Sequence, residues 1–247
     1  METTLRSIPL FSQLREGDIW RIRGAAVTRS YPKDSIILFE SDKGEALYVV
    51  LKGQVKLVHT SEDGREVILG TRGTGDFFGE LSLIDNRPLS AHVIAMQDSE
   101  LLILRREEFQ RCLTDMPGMS VGLLRALCQR LRRADSMIGG LVLLDVKGRV
   151  ARLILEMANQ NDGENVPKGI THQTIAQMIG ASRETVSRTL REMTTQGLIA
   201  VTGRRIAVGD RPALEAAAQL DELGRIEQPE PASTENLGRR ATDLVRQ

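Results

Sequence analysis

Apolar positions along this 247-residue chain follow three rhythms in turn. Between residues 31 and 104 the pattern has period two with short apolar runs, Ile36-Ile37-Leu38-Phe39, Leu47-Tyr48-Val49-Val50-Leu51 and Val55-Lys56-Leu57-Val58. Lys52-Gly53, Asp63-Gly64, Gly73-Thr74-Gly75-Asp76 and Asn86-Arg87-Pro88 separate these runs with turn chemistry. The stretch therefore predicts about eight short strands closing into a small antiparallel barrel or jelly roll. Ahead of it, Leu14, Ile19 and Ile22 share one helical face behind Ile8-Pro9-Leu10-Phe11, which reads as a helical cap, and residues 107–113 return to helix.

The second rhythm is a heptad. Leu124, Leu127, Leu131, Ala134, Ile138 and Leu141 are spaced 3, 4, 3, 4, 3, which is the seam of a helix that pairs with another helix. Pro117 suits a first helical turn and Gly139-Gly140 weakens the far end, so 117–141 reads as a dimer helix with a hinge behind it. On pattern alone, one amphipathic helix packed on its own domain is the alternative.

The third rhythm is the helical period in short segments. Asp145 is the expected cap of a helix over 146–158 with Val150, Leu153, Ile154 and Met157 inward, and the polar stretch 159–169 is a loop. Thr171 caps 172–179, with Ile175, Ala176 and Ile179 inward. Gly180-Ala181 makes a tight turn, and Ser182 caps 183–196, with Val186, Leu190 and Met193 inward and Gly197 at its end. Two short helices about a glycine turn make a helix-turn-helix. Residues 198–201 and 206–208 flank Thr202-Gly203-Arg204-Arg205 as a hairpin wing.

The whole is an α+β chain. We divide it into a sensor-type roll (1–115), a dimerisation helix and hinge (116–144), a winged helix-turn-helix (145–210) and an extension (211–247). From residue 224 onward the extension is too polar to build a core, so it is expected to be mostly disordered.

Charge changes the picture only locally. Lys and Arg together number 33, as do Asp and Glu, so the chain is neutral. Between Lys168 and Arg205, however, six basic residues face two acidic ones, a local excess suited to phosphates. The second helix of the motif presents Arg183, Glu184, Ser187, Arg188 and Arg191 outward. Arg can donate twice to guanine and Glu can accept from cytosine, each good pairing discriminating by about 1–3 kcal/mol. The competing account is a solvated Glu184–Arg188 ion pair worth only about 0.3 kcal/mol. Thr171, His172, Gln173, Ser182, Arg204 and Arg205 complete the expected DNA-binding set.

The remaining composition narrows function by what is missing. Cys112 and Cys128 lack metal-ligand spacing and read as buried free thiols. No P-loop, nucleophile elbow or metal-spaced cluster is present, which weighs against a nucleotide-processing enzyme with a DNA-binding appendage. No signal segment and no 18-residue apolar run is seen, so a cytoplasmic protein without a membrane partner is expected. A purely structural dimer is the third class, separated from a DNA binder by salt dependence.

Thr171-His172-Gln173, Ile175-Ala176, the run Gly180 through Arg188 and Leu143-Leu144-Asp145-Val146-Lys147-Gly148-Arg149 together resemble the CRP/FNR superfamily of bacterial transcription regulators, over roughly residues 5–210. The resemblance implies a homodimer on a two-fold site in double-stranded DNA, with contact to RNA polymerase through 159–169. Arg183, Glu184 and Arg188 match the base-reading positions of the cyclic-AMP receptor branch, which implies TGTGA-like half-sites.

The segment from Asp76 through Ala91 resembles the phosphate-binding cassette of cyclic-nucleotide domains. Gly79, Glu80, Ser90 and Ala91 stand as that pattern wants, with Leu81 beside them in the expected pocket, but Leu89 replaces its arginine. Losing such a charge-assisted contact removes about 1.5–3 kcal/mol, at least about tenfold in affinity. Ala134 and Asp135 stand where the cyclic-AMP receptor places two hydroxyl residues against adenine. Cyclic AMP is therefore not the expected effector. The open choices are another cyclic nucleotide, a cyclic dinucleotide served by Arg72, Arg87, Arg132 and Arg133, or no effector at all. An iron–sulfur sensor lacks its N-terminal cysteines, and His59, His92 and Cys112 fit structural roles better than haem ligation.

Overall fold

In the computed structural model, which describes residues 5–6, 8–167, 169–203 and 205–218, the period-two stretch forms a roll of two four-stranded antiparallel sheets. Its strands are β1 (Val27–Tyr31), β2 (Ile36–Leu38), β3 (Ala46–Lys52), β4 (Gln54–Thr60), β5 (Glu66–Gly73), β6 (Phe77–Phe78), β7 (His92–Ala95) and β8 (Ser99–Arg105). One sheet runs β1-β8-β3-β6 and the other β2-β7-β4-β5. Leu47, Val49, Val50, Val55, Val58, Leu101 and Leu104 face inward and are buried. The β3–β4 turn depends on Gly53, at φ +96°, because a Cβ there would lie 2.7 Å from backbone atoms of Asp98 and Ser99.

Helix α1 (Glu16–Ala25) caps the roll as its spacing predicts, with Leu14, Ile19 and Ile22 sharing a core with Phe11, Phe109, Met119 and Leu123. The last three belong to α3 (Arg106–Asp115) and α4 (Pro117–Leu143), introduced with α2 (Glu80–Asp85), a one-and-a-half-turn helix that period-two reading did not reveal.

One expectation for the long helix is sharpened and one is corrected. Gly139-Gly140 does not break α4, which continues to Leu143 before the chain turns extended at Leu144. Gly140 is buried under Arg152, whose Nη1 would be 3.3 Å from a Cβ and donates to the Ser136 carbonyl at 3.0 Å. The glycine is there for this close approach, and the hinge falls at Leu144-Asp145. Cys112 is buried as expected, but Cys128 is exposed, because it lies on the outward side of α4 three residues before Leu131. Along the heptad, Leu124, Leu131 and Ile138 are 62%, 64% and 60% exposed. Leu141 and Ala134 are exposed with them, whereas Leu127 packs on the roll's core.

The C-terminal unit consists of α5 (Val146–Gln160), α6 (His172–Ile179), α7 (Arg183–Thr195), β9 (Ile199–Thr202), β10 (Arg205–Val208) and α8 (Arg211–Ala217). Asp145 caps α5 by accepting from the Gly148 amide at 2.7 Å. Val150, Ile154, Ile175, Ile179, Val186, Leu190 and Met193 form one core. Helix α8 corrects the boundary placed at 210: Asp210 caps it, Pro212 sits in its first turn, and Leu214 is fully buried in that core. The disorder expected farther along falls on 219–247, outside the described residues. Within the stretch read as the loop 159–169, α5 extends to Gln160 and described residues beyond it are tied to β10. Val166 donates to Ile206 and accepts a place beside β10 through an Asn165–Ala207 bridge. Across the hinge, α6 lies on β5, with Gln177 Nε2 donating to Glu66 Oε2 at 2.8 Å.

The two hinge-side glycines should respond differently to substitution. Gly139→Ala meets open space and should stabilise the fold by about 1 kcal/mol through helix propensity. Gly140→Ala should give no such gain, because the methyl displaces Arg152 from Ser136. Urea denaturation of the two variants measures the contrast.

Candidate nucleic-acid interface and sensor cassette

The helix-turn-helix is set by two side-chain caps and one glycine. Thr171 Oγ1 accepts from the Thr174 amide at 3.0 Å and Ser182 Oγ from the Thr185 amide at 3.2 Å, which satisfies donors that each helix start leaves free. Gly180 turns the chain at φ +65° and ψ +47°. His172 Nδ1 and Ser187 Oγ, 2.9 Å apart, tie the start of α6 to the second turn of α7. With Val186, Leu190 and Met193 buried, the other side of α7 presents Arg183, Glu184, Arg188 and Arg191 to solvent, with Ser187 half-buried among them.

Glu184 and Arg188 form no ion pair with each other among the described residues, so both are available for outside partners. Thr171, His172 and Gln173 are exposed at the start of α6. Arg205 pairs with Thr202 at the base of the wing turn, where Gly203 has φ +61°. Arg204 lies outside the described residues.

The cassette is built around Gly79, at φ +85°, which starts α2. A Cβ at this position would stand 2.7 Å from the Ala46 carbonyl and 3.3 Å from the Tyr48 ring, so only glycine lets the segment lie against β3. Glu80 is buried. Its Oε1 accepts from Arg130 Nη1 at 2.5 Å, and Arg130 Nη2 donates to the Phe77 carbonyl at 2.5 Å. The Arg130 guanidinium also stacks over the Phe77 ring, 4.4 Å from its centroid.

Behind the cassette, Arg106 donates to the carbonyls of Gly44 and Ser82, at 2.6 and 3.0 Å, and to Asn86 Oδ1 at 2.8 Å. These bonds fix both ends of α2 to the roll.

The cassette residues marked in the sequence have different fates. Leu89 and Ala91 are buried, while Leu81 and Ser90 are exposed. Leu89 packs beside Gly44 and Ser82, inside the roll. Ala134, Asp135, Arg87, Arg132 and Arg133 are exposed. Of the four arginines considered for phosphates, only Arg72 is turned away from solvent, and there burial and the nearby Arg130 charge lower it to about 10.

Arg130 was missed altogether. Its signal was legible beside the heptad: Met119, Leu123, Ala126 and Arg130 are spaced 4, 3, 4, a second stripe that enters the core and ends in a cation.

Residues 28–115 match the cyclic nucleotide-binding domain family and residues 148–217 the Crp-like helix-turn-helix domain family. The chain is 33% identical to the CRP-like cAMP-activated global transcriptional regulator of Mycobacterium tuberculosis over 194 residues, covering 76% of this chain and 87% of that protein. It is 33% identical to the cyclic AMP receptor protein of Thermus thermophilus over 214 residues, covering 87% and 98%. Among solved structures, the c-di-GMP responsive global regulator CLP of Xanthomonas campestris superposes with a TM-score of 0.70 at 25% identity, covering 79% of this chain and 99% of that one.

The cassette's glycine can be tested against one that only needs its dihedral. Gly64→Ala, at φ +79° with open space around it, should cost roughly 1–2 kcal/mol of strain. Gly79→Ala carries the same strain and adds a backbone clash, so it should lower the melting temperature of the roll by clearly more. Scanning calorimetry of the two variants compares them.

Proposed function

Because the chain belongs to the CRP/FNR family of transcription regulators, we propose that it binds a two-fold symmetric DNA site as a homodimer. The apolar stripe Leu124, Leu131, Ile138 and Leu141 on α4 is the dimer seam, since monomeric proteins rarely leave such a contiguous row in water. Ala134 lies on the same line, and Leu127 joins it from the edge of the roll's core. Two-fold pairing of α4 puts two copies of α7 in successive major grooves about 34 Å apart.

The observation that carries the reading is the exposed face of α7. Arg183, Glu184 and Arg188 stand free on its first two turns, and they read a TGTGA-like half-site. Arg191, Arg205, Arg204, Thr171, His172, Gln173 and Ser182 hold the sugar-phosphate backbone, and Ser187 is fixed by His172 at the edge of that surface.

RNA polymerase is the proposed protein partner, met by the loop 159–169. Asp162 shapes that loop by accepting from the amides of Glu164 and Asn165 at 2.9 and 2.6 Å, which holds its carboxyl down at about 2. Arg211 clamps it from α8 by donating to Asn159 Oδ1 at 3.1 Å and to the Gly163 carbonyl. Among the described residues no helix is long and apolar enough to cross a membrane, and a DNA-binding regulator of this kind works in the cytoplasm.

The roll is the effector domain. Gly79, Glu80, Leu81, Leu89, Ser90 and Ala91 form the cassette side, and Ala134 and Asp135 the helix side. Leu89 brings no charge to a phosphate, and Ala134 brings no hydroxyl to a base, so cyclic AMP is not the effector. A cyclic dinucleotide is the favoured second reading: the structural neighbour CLP is c-di-GMP responsive, and this chain is arginine-rich around the cassette. An effector acts by population shift, favouring the dimer geometry in which both recognition helices fit the DNA.

In a gel-shift series at fixed salt, Arg183→Ala and Arg188→Ala should each lose discrimination between the symmetric site and its point variants by about 5- to 150-fold, the equivalent of about 1–3 kcal/mol. Unchanged discrimination overturns the base-reading assignment. Raising salt should weaken the wild-type complex along a steep log–log line. Leu131→Glu should convert the dimer to monomer in light scattering and abolish binding to the symmetric site; a variant that stays dimeric removes the seam from the proposal.

A further inference from the structure

Charges at the cassette are not evenly met. Arg72 stands directly opposite Val55 in the β4–β5 ladder, and opposed residues share a face. Val55 is fully buried, so Arg72 turns its side chain into the roll. Among the described residues its Nη1 donates only to the carbonyl of the preceding residue, Thr71, at 2.8 Å, and its Nε, shielded from solvent, has no partner.

The carboxylates nearby are already engaged on one oxygen each. Arg130 holds Glu80 Oε1, and the Gly73 amide donates to Asp76 Oδ2 at 2.9 Å. Glu80 Oε2 is buried without a donor among the described residues. A desolvated guanidinium beside a second guanidinium is stabilised when an anion meets it, and a buried carboxylate oxygen when a hydroxyl or N–H does. One cassette therefore holds an orphan cation edge and an orphan acceptor, both adjoining Arg130.

We propose that Arg72 is the anion-binding group of this sensor, and that the effector is a phosphate-bearing nucleotide. Its phosphate lies on Arg72 at β5 instead of at Ser90-Ala91, while Glu80 Oε2 keeps the hydroxyl-accepting role that the cyclic-nucleotide cassette gives its glutamate. The inference rests on reading the roll as an effector domain, and it reassigns the charge that Leu89 lacks to a different wall. Arg72 suits the role because a guanidinium edge offers two parallel N–H donors to two phosphate oxygens. An effector so placed contacts β5 and, through Arg130, the long helix together.

Calorimetric titration of the full chain, purified free of nucleotide, tests this with cyclic AMP, cyclic GMP, cyclic di-GMP and inorganic pyrophosphate as probes. At least one probe should bind the wild type, Arg72→Met should weaken that probe by about tenfold or more, and Arg65→Met, which removes an exposed arginine beside Asp63 at the far end of the β4–β5 hairpin, should leave it within about twofold. Ligand-free Arg72→Met should melt at or above the wild-type temperature, because it removes an unpaired charge. Should that variant not fold, Arg72→Lys takes its place, keeping the charge but losing the paired donors, and should weaken the same probe.

Silence from all four probes overturns the proposal, as does wild-type affinity in the Arg72 variants. A parallel gel shift, run with and without each probe, separates the two levels: DNA binding with no probe bound sinks only the anion site, whereas DNA binding absent under every condition sinks the regulator reading itself.

Discussion

One helix has to satisfy three surfaces, and the rest of the chain is arranged by how it does so. Helix α4 has 27 residues and spans about 40 Å. Met119, Leu123 and Ala126 pack it on the roll, and Arg130, on the same stripe, reaches Glu80 and the Phe77 carbonyl. Leu124, Leu131 and Ile138 line an adjacent stripe that faces water in the single chain. Ser136 and Gly140, four residues apart on the far side, receive Arg152 from α5. A helix rotates about 100° per residue, so each stripe is fixed in angle relative to the other two. Turning the helix to improve one contact disturbs the others.

That constraint explains which parts of the structure were legible in the sequence. The roll, both caps of the helix-turn-helix and the wing were readable because each rests on local chemistry: period-two runs, Gly-bearing turns, and Thr171 or Ser182 before an amphipathic stretch. The heptad was readable as a pattern, yet it drew attention from its neighbouring stripe, where Arg130 sits at the end of an apolar series. A buried cation at a stripe's end is meaningful only once the partner carboxylate is known to be near, and Glu80 is fifty residues earlier. Arg72 was noticed, but sequence gave it equal standing with Arg87, Arg132 and Arg133. The Arg72–Val55 pairing distinguishes it, and strand register is not contained in either segment alone.

The glycine pair shows the opposite failure. Helix propensity counts Gly139-Gly140 as a weak point near the far end of α4, yet the helix runs through it to Leu143. Propensity is overridden because Arg152 needs the space over Gly140 to reach the Ser136 carbonyl. Helix α8 was missed for a related reason. Asp210-Arg211-Pro212 is a helix start, but only burial of Leu214 against α5 gives the following residues a reason to stay helical.

These contacts also fix what an effector would have to change. Hydrogen bonds tie the winged helix to the rest of its own chain at Arg152–Ser136 on α4 and at Gln177–Glu66 on β5, and Met96 of the roll packs on its core. β5 carries Arg72 at its other end, and α4 carries Arg130. The cassette and the DNA-binding unit are thus attached to the same two elements, less than two turns apart on the helix and within one strand on β5. A ligand that binds both orientations of those elements equally shifts nothing, however tightly it binds. Only one that prefers a particular setting of α4 against β5 can move α7, and charges on both elements are the means by which an anion would tell the settings apart.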